Sequence, residues 1–239
     1  MSKVYWTTRC MNVDDEDMKA SLDLLVVEPI PFLKWLTNNR EKSDYMKCPA
    51  VIDFFKNTFV ITAPFDIQIN IDENTRYVLT DKSQEIYDSF ILNRSHQSSD
   101  NDPLILTLPP NLIFWSNDDI VIESLPMFLD TSESFENINL IPGTFNISKW
   151  IRPLDFTVEV KDLSKPITIK RGEPLFCVKF ITKKGNKVEL ERTELTAELE
   201  YVVRGCTILK NFMPKQTLNS VYVMAEKFIN RFKNSQKRR

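Results

Sequence analysis

The sequence is poor in the residues from which familiar catalytic centres are assembled. Its 239 residues include a single histidine, His96, and only four glycines. Zinc and non-haem iron sites need two or three histidines, or several cysteines, that converge on the metal. A Ser-His-Asp mechanism would have to use His96 as its base, and the polar residues around His96 favour a surface position. The sequence therefore argues against a histidine-based enzyme, and no cofactor is predicted.

Motifs that bind phosphate or present a nucleophile are also absent. Neither G-x-x-x-x-G-K-[ST] nor G-x-G-x-x-G occurs, and there is no G-x-S-x-G. Carboxylates are plentiful, so a divalent-cation site stays open as an alternative, although Asp beside turn residues is common for backbone reasons. The candidate carboxylates are Asp66, Asp72, Asp118, Asp119 and Asp155.

Clustered cysteines and long apolar runs are missing as well. Cys10, Cys48, Cys177 and Cys206 lie far apart and form no CxxC pair, which predicts free and mostly buried thiols rather than a disulfide scaffold. No apolar run approaches the roughly 20 residues that cross a bilayer. Residues 1–9 contain no signal-peptide segment. We therefore expect an intracellular protein, neither secreted nor bound to a membrane.

What the sequence contains is typical of a folded domain. Hydrophobic residues make up 42% and charged residues 27%, and 16 phenylalanines supply large apolar surfaces for a core. The formal charge of −2 gives no general reason to expect a nucleic-acid partner. We predict one domain over 1–239, with an N-terminal strand and irregular segment at 1–47, a β core at 48–192 and helices at 193–239.

Alternation of apolar and polar residues predicts strands in most of the chain. Residues 65–71 alternate with period two, as a half-buried strand does, and 75–79 return as a hairpin. Other predicted strands are 4–10, 24–27, 57–62, 104–108, 112–115, 120–123, 155–160, 167–169, 175–182 and 188–190, the last two joined by a hairpin tip at 183–187. The predicted core is Phe59, Ile61, Ile67, Ile69, Trp115, Trp150, Phe156, Val158, Ile169, Phe176, Val178 and Phe180. The predicted fold is mainly β, a sandwich or distorted barrel with C-terminal helices.

Two helices are predicted after the last strand. Residues 194–204 form the first, with Thr193 as its N-cap and Gly205 as its end. In the second, apolar residues recur at helical spacing from Leu218 to Phe232. Its basic residues either contact an anion such as phosphate or stabilise the end of the helix. These candidate anion contacts are Lys227, Arg231, Lys233, Lys237, Arg238 and Arg239.

Residues 141–182 resemble the core motif of an uncharacterised family of bacterial and tailed-phage proteins, including T4-like cyanophage proteins. The resemblance rests on Trp150, on Phe156 with Thr157, and on Gly172-Glu173-Pro174. It implies a phage protein and no particular activity. A weaker resemblance joins Ile141-Pro142-Gly143 and the following strands to the β-clip fold of dUTPases and dCTP deaminases. The active-site motifs and the glycine-rich arm of those enzymes are missing here.

Three functions follow as hypotheses. The first is a non-catalytic phage protein that binds a phage or host protein, in the virion or in the host cytoplasm, with self-association as one form of such binding. The second is a nucleotide-processing enzyme on a β-clip-like scaffold. The third is a nucleic-acid accessory protein that uses the basic C-terminal helix. The resemblance and the empty motif search favour the first.

Overall fold

The computed structural model describes residues 1–8, 28–39, 44–72, 77–80, 92–93, 103–129, 135–212 and 216–236. The strand predicted at 24–27, the histidine and Cys10 lie outside these residues, as do Lys237, Arg238 and Arg239. Within them the chain is mainly β with helices at its C-terminal side, which confirms the predicted fold class. The described sheets are open and sandwich-like rather than closed into a barrel.

Strands precede the long helices in the chain. The described strands are β1 (Ser2–Thr8), β2 (Ile30–Pro31), β3 (Thr58–Thr62), β4 (Ile67–Asp72), β5 (Tyr77–Thr80), β6 (Leu92–Asn93), β7 (Leu104–Trp115), β8 (Ile120–Leu125), β9 (Ile138–Leu140), β10 (Gly143–Asn146), β11 (Pro153–Val160), β12 (Ile167–Ile169), β13 (Pro174–Thr182) and β14 (Val188–Arg192). The described helices are α1 (Phe32–Asn39), α2 (Pro49–Phe54), α3 (Ala197–Phe212) and α4 (Leu218–Gln236), and a 3₁₀ turn spans Asp44–Lys47.

These strands form three sheets. The first has the order β14-β1-β7-β11-β9, with β6 also paired to β7; the second has the order β10-β8-β13-β3-β2; and the third has the order β12-β4-β5. The predicted hairpin of residues 65–79 is the antiparallel pair β4 and β5. The predicted hairpin of β13 and β14 is wrong, because β14 pairs in parallel with β1 in the other sheet. The Asn57 side chain fixes the segment in which the chain passes from β13 to β14. Its amide N–H donates to Asn186 O, and its amide oxygen accepts the Val188 N–H.

The main core lies between the first and second sheets. Phe156 of β11 stacks on Phe176 of β13 with ring centroids 5.1 Å apart, and Phe114 contacts Phe180 edge to face at 5.4 Å. All twelve predicted core residues are buried. The period-two pattern therefore identified the interior correctly, since it marks the strand faces that turn away from water.

The outer face of the second sheet carries a smaller core under α1 and α2. Phe32 stacks on Phe55 at 3.9 Å, and both pack against Val60 of β3 and Cys177 of β13. The β core predicted to begin at residue 48 begins instead with a helix, because Pro49–Phe54 is helical. Proline at the first position of a helix is favourable because its fixed φ suits the helix and its missing N–H is not needed there.

Two predicted strands merge into one. Residues 104–108 and 112–115 belong to the continuous strand β7, although Pro109 and Pro110 lie between them. Opposite these prolines the pairing with β11 changes register between Leu154 and Phe156. Proline cannot donate a backbone hydrogen bond. A local bulge accommodates prolines here, so that the strand continues past them.

The C-terminal helices differ from prediction at their boundaries. Thr196 rather than Thr193 caps α3, because its Oγ accepts the Leu199 N–H at 3.3 Å. Gly205 does not end the helix but lies inside it. A Cβ at Gly205 would lie 2.8 Å from the Phe228 ring, so the glycine permits close approach of α4.

The predicted apolar stripe of α4 is confirmed in its main part. Val221, Ala225, Ile229 and Phe232 are buried, whereas Leu218 at the start of the helix is 39% exposed. Among the described residues no helix is long and apolar enough to cross a membrane.

Candidate functional site

The residues on which the resemblance to phage proteins rests do not meet at one site. Trp150 donates its indole N–H to Cys206 O of α3 at 3.0 Å, and Phe156 lies in the main core. Gly172, with φ of +82°, forms a turn that bonds to Ala63 beside β3. Each of these contacts joins one element of the fold to another, and this explains the motif without a ligand.

The remaining motif residues also have local partners. Thr157 shares a hydroxyl hydrogen bond of 3.2 Å with Thr107 on the neighbouring strand. The Glu173 carboxylate accepts the Lys170 N–H within the turn that precedes Pro174.

The candidate carboxylates are scattered over the molecule. Asp66 accepts the Arg171 N–H at 2.8 Å, and Asp155 lies 3.4 Å from Arg152. The side chain of Asp72 lies outside the described part of the chain. Over the residues described, no group of three or more His, Cys, Asp or Glu side chains could hold a metal ion.

The described cysteines are free, as predicted, and two of the three are buried. Cys48 is exposed, whereas Cys177 and Cys206 are buried. Burial raises the pKa of each of these two thiols to about 12. They stay protonated at neutral pH and cannot act as thiolate nucleophiles.

The structure separates the described basic residues of α4 into two groups. Lys227 lies over the Phe228 ring and Arg231 over the Tyr201 ring, each with its charge 5.0 Å from the ring centroid. Lys233 lies on a different side of α4, where its ammonium donates to Ser148 O at 3.3 Å. The three predicted anion contacts that the structure describes therefore do not form one continuous surface.

Lys233 lines a cleft of about 590 Å³ between α4 and two turns of the sandwich, which we call the α4 cleft. Asp119 comes from the turn between β7 and β8, and Lys149 from the turn after β10. Tyr222 and Glu226 line it from α4. The helical residues fall on one side of α4 because they are spaced three or four apart.

A hydrogen-bond network fixes the walls of the α4 cleft. The Asn146 N–H donates to the Tyr222 hydroxyl at 2.8 Å, and the Asn146 amide donates to the Asp119 carboxylate. The side-chain oxygen Oδ1 of Asn146 accepts from both the N–H and the hydroxyl of Ser148, at 2.9 and 2.7 Å. Lys183, which directly follows the last residue of β13, forms an ion pair with Asp119. The cleft is thus preformed, with its turns held against α4.

The network also sets the ionisation of two groups. Hydrogen bonds from Lys183 and Asn146 hold the pKa of Asp119 below its usual value. Burial raises the pKa of Tyr222 above its ordinary value of 10, at which the hydroxyl is already protonated at neutral pH. The cleft therefore contains a neutral phenol beside a carboxylate whose charge is already balanced.

A smaller pocket of about 330 Å³ lies beside the ion pair of Arg152 and Asp155. The Arg152 guanidinium lies over both the Phe145 and Trp150 rings, 4.5 and 4.7 Å from their centroids, and donates to Pro153 O. The two charged side chains are only 14% and 9% exposed. Their charges compensate one another, as expected of a structural ion pair in a buried position.

A third feature is an apolar surface beside α2, which we call the Phe54 surface. It consists of Phe54, Phe128, Leu129, Lys179 and Ile181. Phe54 contacts Phe128 edge to face at 5.7 Å, and the Lys179 ammonium lies 4.4 Å from the Phe54 ring centroid. Ile181 follows on the same face of β13, because side chains two apart in a strand share a face.

Sequence reasoning identified some residues of these features and missed others. It named Asp119 as a carboxylate and Lys233 as a cation but did not connect them. Asn146 and Lys149 carried no signal, since their role depends on contact with a helix more than 70 residues later in the chain. Comparison of the chain with protein-family models, curated proteins and solved structures finds no match.

Proposed function

We propose that this protein acts by binding another protein, which docks on the Phe54 surface. Phe54, Leu129 and Ile181 are 48%, 44% and 42% exposed, although all three are large apolar residues. Contiguous exposed apolar surface commonly marks a protein interface, and aromatic residues are enriched in such interfaces. Phe128 supports the surface from below, because it also contacts the buried rings of Phe32 and Phe55.

The observation that carries the proposal is the conformation of Leu129. Its φ of +60° lies in the left-handed region, which costs an L-residue with a side chain roughly 1–2 kcal/mol. In the free protein the exposed side chain of Leu129 gains little burial to offset that cost. Strained residues of this kind concentrate at functional positions. A docked partner would bury Leu129 and supply the missing stabilisation.

The charge within the surface specifies the chemistry of the partner. Lys179 makes no ion pair with any residue in the described part of the chain, and its ammonium lies directly over the exposed Phe54 ring. A partner that presents an apolar side chain flanked by a carboxylate would cover the ring and pair with the ammonium. Burying this charge without such a carboxylate would be costly.

The resemblance of residues 141–182 to phage proteins supports a phage or host protein as the partner. Mass spectrometry of purified particles distinguishes the two settings. Detection of the chain in particles would favour a virion partner, and its absence there would favour a host partner.

The docking surface is tested by site-specific photo-crosslinking in the cells that naturally make the protein. A photoreactive phenylalanine replaces Phe54 in one variant and Val223, which is 71% exposed on α4, in the control. We expect one protein to be crosslinked at position 54 and not at position 223. Equal labelling at both positions would contradict the proposal.

Binding measurements with the purified crosslinked protein then test the contacts. We expect the double variant Phe54→Ala and Leu129→Ala to weaken the affinity at least about 30-fold, as loss of central apolar contacts does. The control, Tyr201→Ala with Val223→Ala, removes side chains that are 48% and 71% exposed on the helices and should leave the affinity unchanged. Lys179→Gln should weaken binding and reduce its salt dependence. An affinity that is insensitive to the Phe54 double variant would refute the docking site.

A further inference from the structure

We propose that the outer face of the paired helices α3 and α4 binds a single-stranded nucleic acid. This face, which we call the Tyr201 surface, consists of Tyr201 of α3 and of Lys227, Phe228 and Arg231 of α4. It is separate from the Phe54 surface, so its failure would leave the proposed function intact.

The side chains of the Tyr201 surface are joined by direct contacts. The Arg231 guanidinium lies 5.0 Å from the centroid of the Tyr201 ring. The Lys227 ammonium lies 5.0 Å from the centroid of the Phe228 ring. The two rings meet edge to face with their centroids 5.8 Å apart. Each ring of this contacting pair therefore has a cation beside it.

The pairing of the helices fixes this arrangement. Lys227 and Arg231 are four residues apart, so they share one side of α4. Gly205 of α3 lets the Phe228 ring approach closely, because a Cβ there would lie 2.8 Å from the ring. The rings are thus held in place in the unbound protein, and binding requires little further ordering of them.

Both cations of the Tyr201 surface are available to an anion. Lys227 and Arg231 are exposed, and neither makes an ion pair with a residue in the described part of the chain. Contact with a ring does not use the N–H donors of an ammonium or a guanidinium group, which can still reach a phosphate.

The neighbouring carboxylates do not neutralise these cations. Glu200 pairs with Arg204 at 2.7 Å, and Glu198 has an interaction of its own. Glu226 lines the α4 cleft and lies about 100° around the axis of α4 from Lys227. None of these three carboxylates forms an ion pair with a cation of the Tyr201 surface.

Positive charge is concentrated in the segment that contributes three of the four side chains. Residues 227–239 contain six cations and no carboxylate, although the formal charge of the whole chain is −2. These cations are Lys227, Arg231, Lys233, Lys237, Arg238 and Arg239. Such an uneven distribution attracts an anionic partner to one part of a protein even when the net charge is small.

Exposed rings beside cations favour a nucleic acid over an acidic protein segment. Tyr201 is 48% exposed, and Phe228 is half-buried. Unpaired bases stack on aromatic rings and on the planar guanidinium of arginine, while their phosphates pair with cations. A run of carboxylates would use only the cations. The bases of a duplex are already stacked on one another, so the expected partner is single-stranded.

Fluorescence anisotropy with a labelled oligothymidylate of about 12 nucleotides tests the proposal, since single-strand sites span roughly 4–16 nucleotides. The full chain should bind it saturably at about 50 mM salt and more weakly as the salt concentration rises. A duplex of the same length should bind less tightly. Absence of saturable binding at low salt, or a duplex that binds more tightly, would overturn the proposal.

The double variant Lys227→Gln with Arg231→Gln tests the phosphate contacts. It should weaken binding about tenfold or more, as loss of charged hydrogen bonds does. The slope of log affinity against log salt should become shallower by about 1.4, because each contact with a single strand contributes roughly 0.7. The matched control, Lys184→Gln with Lys187→Gln, removes the same charge between β13 and β14 and should leave the slope unchanged. Equal weakening by both double variants would refute the site.

Tyr201→Leu tests the stacking contact. It should weaken binding about fivefold or more without changing the salt slope, whereas Tyr201→Phe should bind as the parent protein does. The matched control is Phe54→Leu, because Phe54 is also 48% exposed and has the Lys179 ammonium over its ring. Equal weakening by Phe54→Leu would overturn the assignment to the Tyr201 surface.

Competition with polyglutamate separates a nucleic acid from an acidic protein partner. Unlabelled oligothymidylate should displace the labelled strand at much lower concentrations of charge than polyglutamate does. If the two polyanions displaced it equally well, the rings would make no contribution and the proposal would fail. Circular dichroism spectra that match that of the parent protein establish that each variant is folded.

Discussion

The interior of the sandwich and the α4 cleft are built on opposite principles. The interior joins two sheets through apolar rings, such as Phe156 on Phe176, whose position follows from their alternation along each strand. The cleft joins a helix to two turns through polar atoms, such as the Tyr222 hydroxyl and the Asn146 N–H. The first kind of contact depends on area buried, and the second on the placement of individual atoms.

This difference predicts how each region responds to substitution. Removal of an interior ring leaves a cavity that the dense packing cannot fill. Removal of one polar atom beside the cleft loses one hydrogen bond, and nearby water can replace part of it. We therefore expect the interior to determine stability and the cleft to determine local geometry.

The largest effect is expected for Phe156→Ala, which deletes a side chain that is 1% exposed between the two sheets. The free energy of unfolding should fall by about 3–5 kcal/mol, because the transfer term and the cavity term add. Urea denaturation measures it. The control, Val223→Ala, should stay within about 0.5 kcal/mol of the parent protein. If Phe156→Ala lowered the free energy of unfolding by less than about 0.5 kcal/mol, the two sheets would not share one core.

Gly205→Ala should have the next largest effect. Alanine favours a helix over glycine by roughly 0.5–1 kcal/mol, but the new Cβ would lie 2.8 Å from the Phe228 ring. Overpacking of this kind costs roughly 1–3 kcal/mol, so we expect a net destabilisation of about 1.5 kcal/mol in urea denaturation. In a Phe228→Ala background the same substitution should be neutral or stabilising. Destabilisation in both backgrounds would exclude the ring as the cause.

Tyr222→Phe should cost less, because it keeps the ring and removes only the hydroxyl that accepts the Asn146 N–H. Loss of one such bond lowers the free energy of unfolding by about 1 kcal/mol. Hydrogen exchange should show faster exchange at the Asn146 amide while the amides of β13 are unaffected. The control is Tyr201→Phe at a 48% exposed position. Unchanged protection at Asn146 would show that this bond does not hold the turn.

The smallest effect is expected for Asp119→Asn. Because Lys183 and Asn146 lower the pKa of Asp119 in the folded protein, its contribution is fully present above the ordinary pKa of 3.8 and is lost as the pH falls from that value through the lowered pKa of the folded protein. The loss at neutral pH should be only a few tenths of a kcal/mol, since the Lys183 side chain is 77% exposed and solvent screens the pair. Urea denaturation at neutral pH and near pH 2 should show the difference from the parent protein shrinking in acid. A constant difference would assign the effect to packing.

Local periodicity correctly predicted which face of a strand or helix packs against the core. The alternation in residues 65–71 located β4, and the spacing from Val221 to Phe232 located the buried side of α4. Both patterns arise because a strand repeats every two residues and a helix every 3.6. The same reasoning yielded the predicted core residues other than Trp150, which lies outside the strands and helices.

The errors arise where tertiary contact overrides a local signal. Glycine is common at the end of a helix, but Gly205 lies inside α3. There the absence of a side chain lets the Phe228 ring pack close to the α3 backbone. Pro49–Phe54 has β-forming residues, but Phe55 and the rings it meets fix a helix over the second sheet. The α4 cleft could not be predicted at all, because no short stretch of sequence contains both Asn146 and Tyr222.

The parallel pairing of β1 with β14 has a consequence for folding. Ser2 lies opposite Val188, so this contact spans most of the chain and can form only late in synthesis. Contacts between such distant residues raise the contact order and slow folding, because a long loop must close before they contribute. Until then one edge of β1 offers unpaired backbone groups, which invite association with other chains. The protein should therefore be most vulnerable to aggregation while it is being made, and a chaperone that shields residues 2–8 should improve its yield.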